Sequence, residues 1–169
     1  MNQKEFMQLV NPFKDKVFRV AKRLLVSTEE AEDATQEVLV KLWNRNETLG
    51  EYKSVEAVAM TMTKNYCLDQ LKSKRAGNLT IVHNNFTDRE AGLHKQAEDR
   101  DTWQWVERIM NDLPEQQRLI VQMRDIEEME FEEIAEILEM TEQAIRTALS
   151  RARKTIRENL LKTHRYGIG

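Results

Sequence analysis

The sequence predicts an all-α protein with two small helical domains joined by a flexible linker, the C-terminal one containing a helix-turn-helix. Only 2 of 169 residues are proline and 5 are glycine, while 33% are charged, a composition that favours helix over β-structure. Apolar residues recur at spacings of three and four over most of the chain, as in amphipathic helices. The period is lost only over residues 76–100, which mix glycine, asparagine, threonine and charged residues. We therefore expect domains at 1–75 and 101–169, with a linker at 76–100.

The composition also excludes several classes of protein. The chain has no apolar run of about 18 residues, so we expect no membrane insertion. Its first ten residues, MNQKEFMQLV, lack the basic start and apolar core of a signal peptide. The single cysteine, Cys67, excludes an intramolecular disulfide framework and fits a reducing, cytoplasmic location.

The N-terminal domain is predicted to contain three long helical segments. A short helical start is expected to break at Asn11, because Asn11 suits an N-cap and Pro12 suits the first position of a new helix. The sequence STEE at 27–30 predicts a second helix that begins with a capping box. A third helix is expected over 55–74, because Gly77 and the asparagine after it are typical of helix ends.

The C-terminal domain is predicted to contain four helices. The first begins near Asp101, and Pro114 begins the second. The segments FEEIAEIL at 131–138 and TEQAIRTALSRARKTIRENL at 141–160 form the last two. Their apolar spacing and the short turn between them are typical of a helix-turn-helix.

The second of these two helices has one apolar side and one polar side. A step of 100° per residue places four apolar residues together: Ile145, Leu149, Ala152 and Ile156. The opposite side carries groups able to hydrogen-bond base edges or to pair with phosphates, namely Gln143, Thr147, Ser150 and Lys154, flanked by Arg146, Arg151 and Arg153. Thr141 is expected to cap the helix and to leave its N-terminus open to a phosphate.

Charge is unevenly distributed in this domain. Residues 112–139 carry a net charge of −8, whereas residues 141–157 carry +4, in a chain of net charge −3. A free-standing DNA-binding protein is usually basic throughout. We therefore hypothesise that the basic helix acts on DNA chiefly when a larger, positively charged assembly holds the chain in place.

Three blocks of sequence together resemble the extracytoplasmic-function group of the sigma-70 family: AEDATQEVLVKLW (31–43), KNYCLDQLKSKR (64–75) and LPEQQRLIV…FEEIAEILEMTEQAIRTALSRAR (113–153). The resemblance implies a non-enzymatic RNA polymerase sigma factor that uses no cofactor or metal. It implies that core polymerase is bound through the β′ clamp helices and the β flap. Promoter DNA is the second implied partner, and an anti-sigma factor is the third.

The resemblance also assigns roles to individual positions. The polymerase clamp contact is expected at Asp33, Gln36 and Glu37, which share one helical face. Recognition and opening of the −10 element are expected at Tyr52, Lys53, Lys64, Asn65, Lys72, Lys74 and Arg75. Contacts to the −35 element are expected at Thr141, Gln143, Arg146, Thr147, Ser150, Arg151, Arg153 and Lys154.

The sequence departs from the family pattern at four positions. Val58 and Met60 stand where many relatives carry Trp and Tyr. Glu130 replaces a serine cap, which we expect to cost about 1 kcal/mol. Ala148 replaces a common arginine of the recognition helix.

Three other functions are alternatives, and each makes a different demand on the sequence. An enzyme is disfavoured, because the histidines lack metal-ligand spacing and Cys67 has no histidine nearby in sequence. A dimeric helix-turn-helix regulator would bind an operator without polymerase. A helical adaptor that contacts only proteins would be insensitive to loss of Gln143 and Arg146.

Overall fold

The computed structural model describes residues 1–77 and 101–167, with side chains described as far as Lys162. The described part is helical and has no strand. Its α-helices are α1 (Gln3–Leu25), α2 (Thr28–Asn44), α3 (Val55–Gly77), α4 (Asp101–Asn111), α5 (Glu115–Val121), α6 (Phe131–Leu138) and α7 (Glu142–Gly167). The all-α prediction is confirmed. The linker was predicted over 76–100; residues 76 and 77 belong to α3, and 78–100 lie outside the described residues.

Helix α1 is continuous, so the predicted break at Asn11 is wrong. Asn2 caps the helix: its Oδ1 accepts from the Glu5 N–H at 2.8 Å, and the Glu5 carboxylate accepts from the Asn2 N–H at 3.1 Å. Pro12 lies inside the helix, where proline costs about 3 kcal/mol. Burial of the apolar stripe that includes Val10 and Phe13 outweighs this cost, because each such side chain contributes about 1.5–3 kcal/mol.

Helices α2 and α3 complete the N-terminal domain by packing on α1. Ser27 is the N-cap of α2, and its Oγ accepts from the Glu30 N–H at 3.2 Å. The Glu30 carboxylate pairs with Lys74 instead of the Ser27 N–H, so only half of the predicted capping box forms. A short 3₁₀ turn, Leu49–Glu51, separates α2 from α3, and Leu49 is buried. Met60 of α3 is completely buried, so this departure from the family pattern is a core residue.

The C-terminal domain begins with α4, and Pro114 is the N-cap of α5, one position before the first helical residue. A single π-helical turn, Gln122–Ile126, follows α5 and was not predicted. Helix α6 has the predicted bounds, and Glu130 at its N-cap makes no side-chain capping hydrogen bond. Glu139 then turns the chain in the left-handed conformation, with φ 54° and ψ 46°.

The two domains pack against each other through a buried polar network, which the sequence did not predict. Arg19 of α1 binds Glu127 in a bidentate pair, with distances of 2.8 and 2.6 Å. Gln122 donates to Glu127 at 2.8 Å and accepts from the Arg23 Nε at 2.9 Å. Arg23 also donates to Asn111 at 2.9 Å. Each of these polar groups therefore has a partner, as buried polar groups require.

Further contacts surround this network. Arg118 Nη1 donates to the backbone carbonyls of Arg23 and Leu24, at 3.4 and 3.2 Å. Burial lowers the pKa of the Arg23 guanidinium, against the opposite effect of Glu107. Apolar residues of both domains belong to one continuous buried cluster. The domains thus form a joint core.

Candidate nucleic-acid interface

Helix α7 presents the predicted polar face to solvent. Ile145, Leu149 and Ala152 are buried on its inner side, as predicted. Thr141 caps the helix, and its Oγ1 accepts from the Ala144 N–H at 3.1 Å. All eight residues predicted to contact the −35 element are exposed: Thr141, Gln143, Arg146, Thr147, Ser150, Arg151, Arg153 and Lys154.

A polar groove of about 450 Å³ runs along one flank of this face. Helix α7 lines it with Gln143, Thr147 and Arg151. Helix α5 adds Gln116 and Gln117, which sequence reasoning missed because only the tertiary fold brings α5 beside α7. Amide and hydroxyl groups in such a groove match the donors and acceptors of base edges.

On the other flank of α7, two arginine side chains are held in place by neighbouring residues. Arg153 donates to both carboxylate oxygens of Asp125, at 3.0 and 2.5 Å. These hydrogen bonds raise the pKa of the Arg153 guanidinium. The Arg146 guanidinium lies over the ring of Phe131, 4.1 Å from the ring centre. Two of the predicted DNA-contacting arginines are therefore held by neighbouring side chains.

The three residues predicted to contact polymerase lie together on α2. Asp33 and Gln36 are exposed and Glu37 is half-buried. An apolar patch lies along the same helix, where Val40 is 53% and Trp43 37% exposed. Since exposed apolar residues beside charged ones often mark protein contacts, the helix has the character of a docking surface.

Some of the residues predicted to contact the −10 element are exposed to solvent, and the others form hydrogen bonds or ion pairs within the protein. Tyr52, Lys53, Asn65 and Lys72 are exposed. Lys64 donates to the backbone carbonyl of Ile137 in the other domain, at 2.8 Å. Lys74 pairs with Glu30, and Arg75 pairs with Glu115 at 3.1 Å. Lys64 and Arg75 thus bridge the two domains.

An apolar groove of about 430 Å³ lies between α4 and the distal part of α7. It is lined mainly by apolar side chains, including Trp103, Val106, Ile126, Ile156 and Leu160. Trp103 is 52% exposed. The apolar composition of the groove suits an apolar helix of a partner.

The described residues contain no group of three or more His, Cys, Asp or Glu side chains placed to hold a metal. Cys67 is fully buried, and burial raises the pKa of its thiol to about 12. A thiol in that state is a poor nucleophile at neutral pH. No helix in the described ranges is long and apolar enough to cross a membrane.

Two family models match the chain, one to each domain. The model for sigma-70 region 2 matches residues 9–77, and the model for sigma-70 region 4 matches residues 103–156. The second match contains α5, α6 and the whole polar face of α7.

Curated relatives match along almost the whole chain. The ECF RNA polymerase sigma factor SigW of Bacillus subtilis is 22% identical, over 94% of this chain and 90% of the relative. The ECF RNA polymerase sigma-E factor of Haemophilus influenzae is 28% identical, over 94% of this chain and 89% of the relative.

Solved structures share the fold. The sigma factor RpoE of Bartonella quintana, in complex with the anti-sigma factor NepR, superposes with a TM-score of 0.70 at 21% identity, covering 94% of this chain and 98% of that one. CnrH, in complex with the cytosolic domain of CnrY, gives a TM-score of 0.66 at 19% identity, covering 94% and 89%.

Proposed function

The chain belongs to the extracytoplasmic-function group of the sigma-70 family, and we propose that it directs core RNA polymerase to promoters by reading −35 and −10 elements. As a sigma factor it is a non-enzymatic initiation factor that works with core polymerase and promoter DNA. The reading of the two elements, the opening of the −10 DNA and the roles of individual residues are the proposal.

The exposed face of α7 is the observation that carries this proposal. It combines Gln143 and Thr147, which hydrogen-bond base edges, with Arg151 and Lys154, which pair with phosphates. In the described residues, no salt bridge occupies the Arg151 or Lys154 side chain. A helix-turn-helix with such a face places its second helix in the major groove.

The −10 element is assigned to the turn after α2 and to α3. Tyr52 is 38% exposed, so its ring can stack on a base extruded from the duplex, which offsets part of the cost of unpairing. Asn65 supplies a polar wall for that base. Lys64 would have to release the carbonyl of Ile137 before it could bind a phosphate.

Core polymerase is assigned two surfaces. The polar side chains of Asp33, Gln36 and Glu37 dock on the β′ clamp helices, next to the apolar patch at Val40 and Trp43. The apolar groove between α4 and α7 receives the β flap, because an apolar groove between helices binds an apolar partner helix.

An anti-sigma factor is the third proposed partner. One structural neighbour, the sigma factor RpoE of Bartonella quintana, is a complex with the anti-sigma factor NepR. The exposed apolar residues on α2 and α4 offer such an inhibitor the surfaces assigned above to polymerase. We place the protein's action in the cytoplasm, where it would meet polymerase.

Transcription in vitro with core polymerase on fragmented genomic DNA, followed by mapping of start sites, tests the proposal. We expect initiation at a discrete set of sites that share −35 and −10 sequences. The double variant Gln143→Ala, Thr147→Ala should lose about tenfold or more of its −35-dependent activity, because each good base contact contributes about 1–3 kcal/mol.

The matched control is Glu158→Ala with Lys162→Ala, two exposed positions further along α7. This variant should initiate at the same sites with similar yield. Initiation at random sites, or equal losses in both double variants, would contradict the proposal.

A further inference from the structure

Phe131 holds two guanidinium groups at the edge of the helix-turn-helix. It is the first residue of α6, and its ring is half-buried. The Arg124 guanidinium lies 4.3 Å from the ring centre, and the Arg146 guanidinium lies 4.1 Å from it. Both distances are well within the range of a cation–π interaction.

The ring and Arg124 form a fixed platform. Arg124 Nη1 donates to the backbone carbonyl of Met129 at 2.9 Å, and Met129 is buried. Arg124 is thereby tied to the loop before α6. Phe131 packs against the buried cluster of the core, which holds its ring in place.

Arg146, in contrast, is a surface side chain whose order depends on the ring. Its side chain is 60% exposed, and its other charged contact is Glu142 at 4.0 Å, the outer limit of an ion pair. An arginine side chain loses considerable rotamer freedom when it binds a ligand. Stacking on Phe131 orders the guanidinium beforehand and so reduces this cost of binding.

The ordered guanidinium borders a groove of about 310 Å³ that suits an anion. Its lining includes Arg146, Ser150, Arg153 and Arg157, together with Phe131. Asp125 neutralises only Arg153. The groove therefore keeps excess positive charge and a hydroxyl donor, the groups that bind a phosphate.

The position of the groove indicates which phosphate it would bind. It lies on the flank of α7 opposite the groove of Gln143, Thr147 and Arg151. A helix that reads bases in the major groove has DNA backbone on each side of it, so a phosphate of the same duplex is the nearest anion.

We propose that Phe131 is a positioning residue that orders Arg146 to bind a DNA backbone phosphate beside the −35 element. The proposal rests on the assignment of α7 to the −35 element. Arg146 then fixes the register of α7 on the duplex and does not itself read a base.

A double-mutant cycle tests this proposal. Promoter binding is measured with the complete holoenzyme for the wild type, Phe131→Leu, Arg146→Ala and the double variant. Phe131→Leu keeps an apolar side chain but removes the ring, so binding should weaken about two- to fivefold, the usual contribution of an exposed cation–π pair. In the Arg146→Ala background the same substitution should have almost no effect.

The dependence of binding on salt provides the second readout. Arg146→Ala should reduce the slope of log K against log[salt] by about one phosphate contact and leave the preference among −35 sequences unchanged. Phe131→Tyr keeps the ring and should behave like the wild type. Thermal melting of each variant reports the folding of the domain separately.

The outcomes separate the two proposals. If Phe131→Leu weakens binding equally in both Arg146 backgrounds, Phe131 has only a structural role and the inference is wrong. If Arg146→Ala alters the preferred −35 sequence, Arg146 reads a base and the inference is also wrong. If the wild-type holoenzyme shows no dependence on the −35 sequence, the proposed function itself fails.

Discussion

At the scale of single residues, Cys67 shows how burial changes the pKa of a side chain. The thiol is inaccessible in α3, and burial raises its pKa from 9.0 to about 12. In the unfolded chain the thiol loses its proton above about pH 9, while the folded chain retains it. The unfolded state then binds fewer protons, so stability falls as the pH rises from 9 to 12.

The Cys67→Ala variant tests this dependence. It lacks the thiol, so the stability advantage of the wild type over it should shrink by about 1.4 kcal/mol per pH unit above pH 9. Urea unfolding of both proteins at pH 8, 9 and 10 measures the difference. A constant difference over this range would show that the buried thiol ionises as easily as an exposed one.

Residue-level patterns predicted the inward and outward faces of α7 well, because helical geometry alone decides them. The partners of the outward residues were not predictable. Arg146 contacts Phe131 and Arg153 contacts Asp125 only because the chain turns between α5 and α7. Local spacing in the sequence therefore does not predict these pairs.

At the scale of elements, the turn between α6 and α7 contains a conflict between residue and conformation. Glu139 adopts φ 54°, a region that costs a residue with a side chain about 1–2 kcal/mol and that glycine enters freely. We expect Glu139→Gly to stabilise the protein by about 1 kcal/mol, as measured by urea unfolding.

Glu136→Gly is the matched control, since it makes the same chemical change inside α6. There glycine should destabilise the protein by about 1 kcal/mol, because it increases the backbone entropy of the unfolded chain and relieves no strain in the folded one. Destabilisation by both substitutions would contradict the left-handed conformation assigned to Glu139.

The elements themselves were largely predictable, and the exceptions have physical causes. Helix α6 and the caps at Ser27 and Thr141 follow from short-range rules. The break expected at Pro12 failed because long-range burial of the α1 stripe outweighs a local preference. The π-helical turn after α5 has no local signature and carries residues of the domain interface, Gln122 among them.

At the scale of the whole molecule, the two domains are joined by charged groups that the sequence placed far apart. Glu127 is the centre of this network: its side chain is 2% exposed and accepts hydrogen bonds from Arg19 and Gln122. The side-chain hydrogen bond and the charge of Glu127 raise the pKa of the Arg19 guanidinium. Periodicity and capping rules use only local sequence, so they cannot predict pairs of residues this far apart in the chain.

Removal of the Glu127 carboxylate tests the importance of the interface. Glu127→Ala should lower the free energy of unfolding by about 2 kcal/mol, because it leaves the buried Gln122 amide without its charged acceptor. The exposed neighbour Glu128 provides the control, and Glu128→Ala should change stability by no more than about 0.5 kcal/mol. Equal effects of the two substitutions would mean that the network contributes nothing to holding the domains together.

The division of charge also acts on the whole molecule. The basic face of α7 lies in a chain whose net charge is −3 and next to a segment of net charge −8. Repulsion of DNA by the acidic background weakens non-specific binding. Attachment to a large, positively charged assembly supplies the missing attraction and raises the local concentration of DNA at α7.

The affinity for a promoter fragment that carries the mapped −35 and −10 elements, measured at one salt concentration with and without core polymerase, tests this account most directly. We predict weak binding by the free chain and binding tighter by roughly 10²–10⁴-fold with core polymerase, the usual gain from tethering. Comparable affinity of the free chain and the holoenzyme would contradict it.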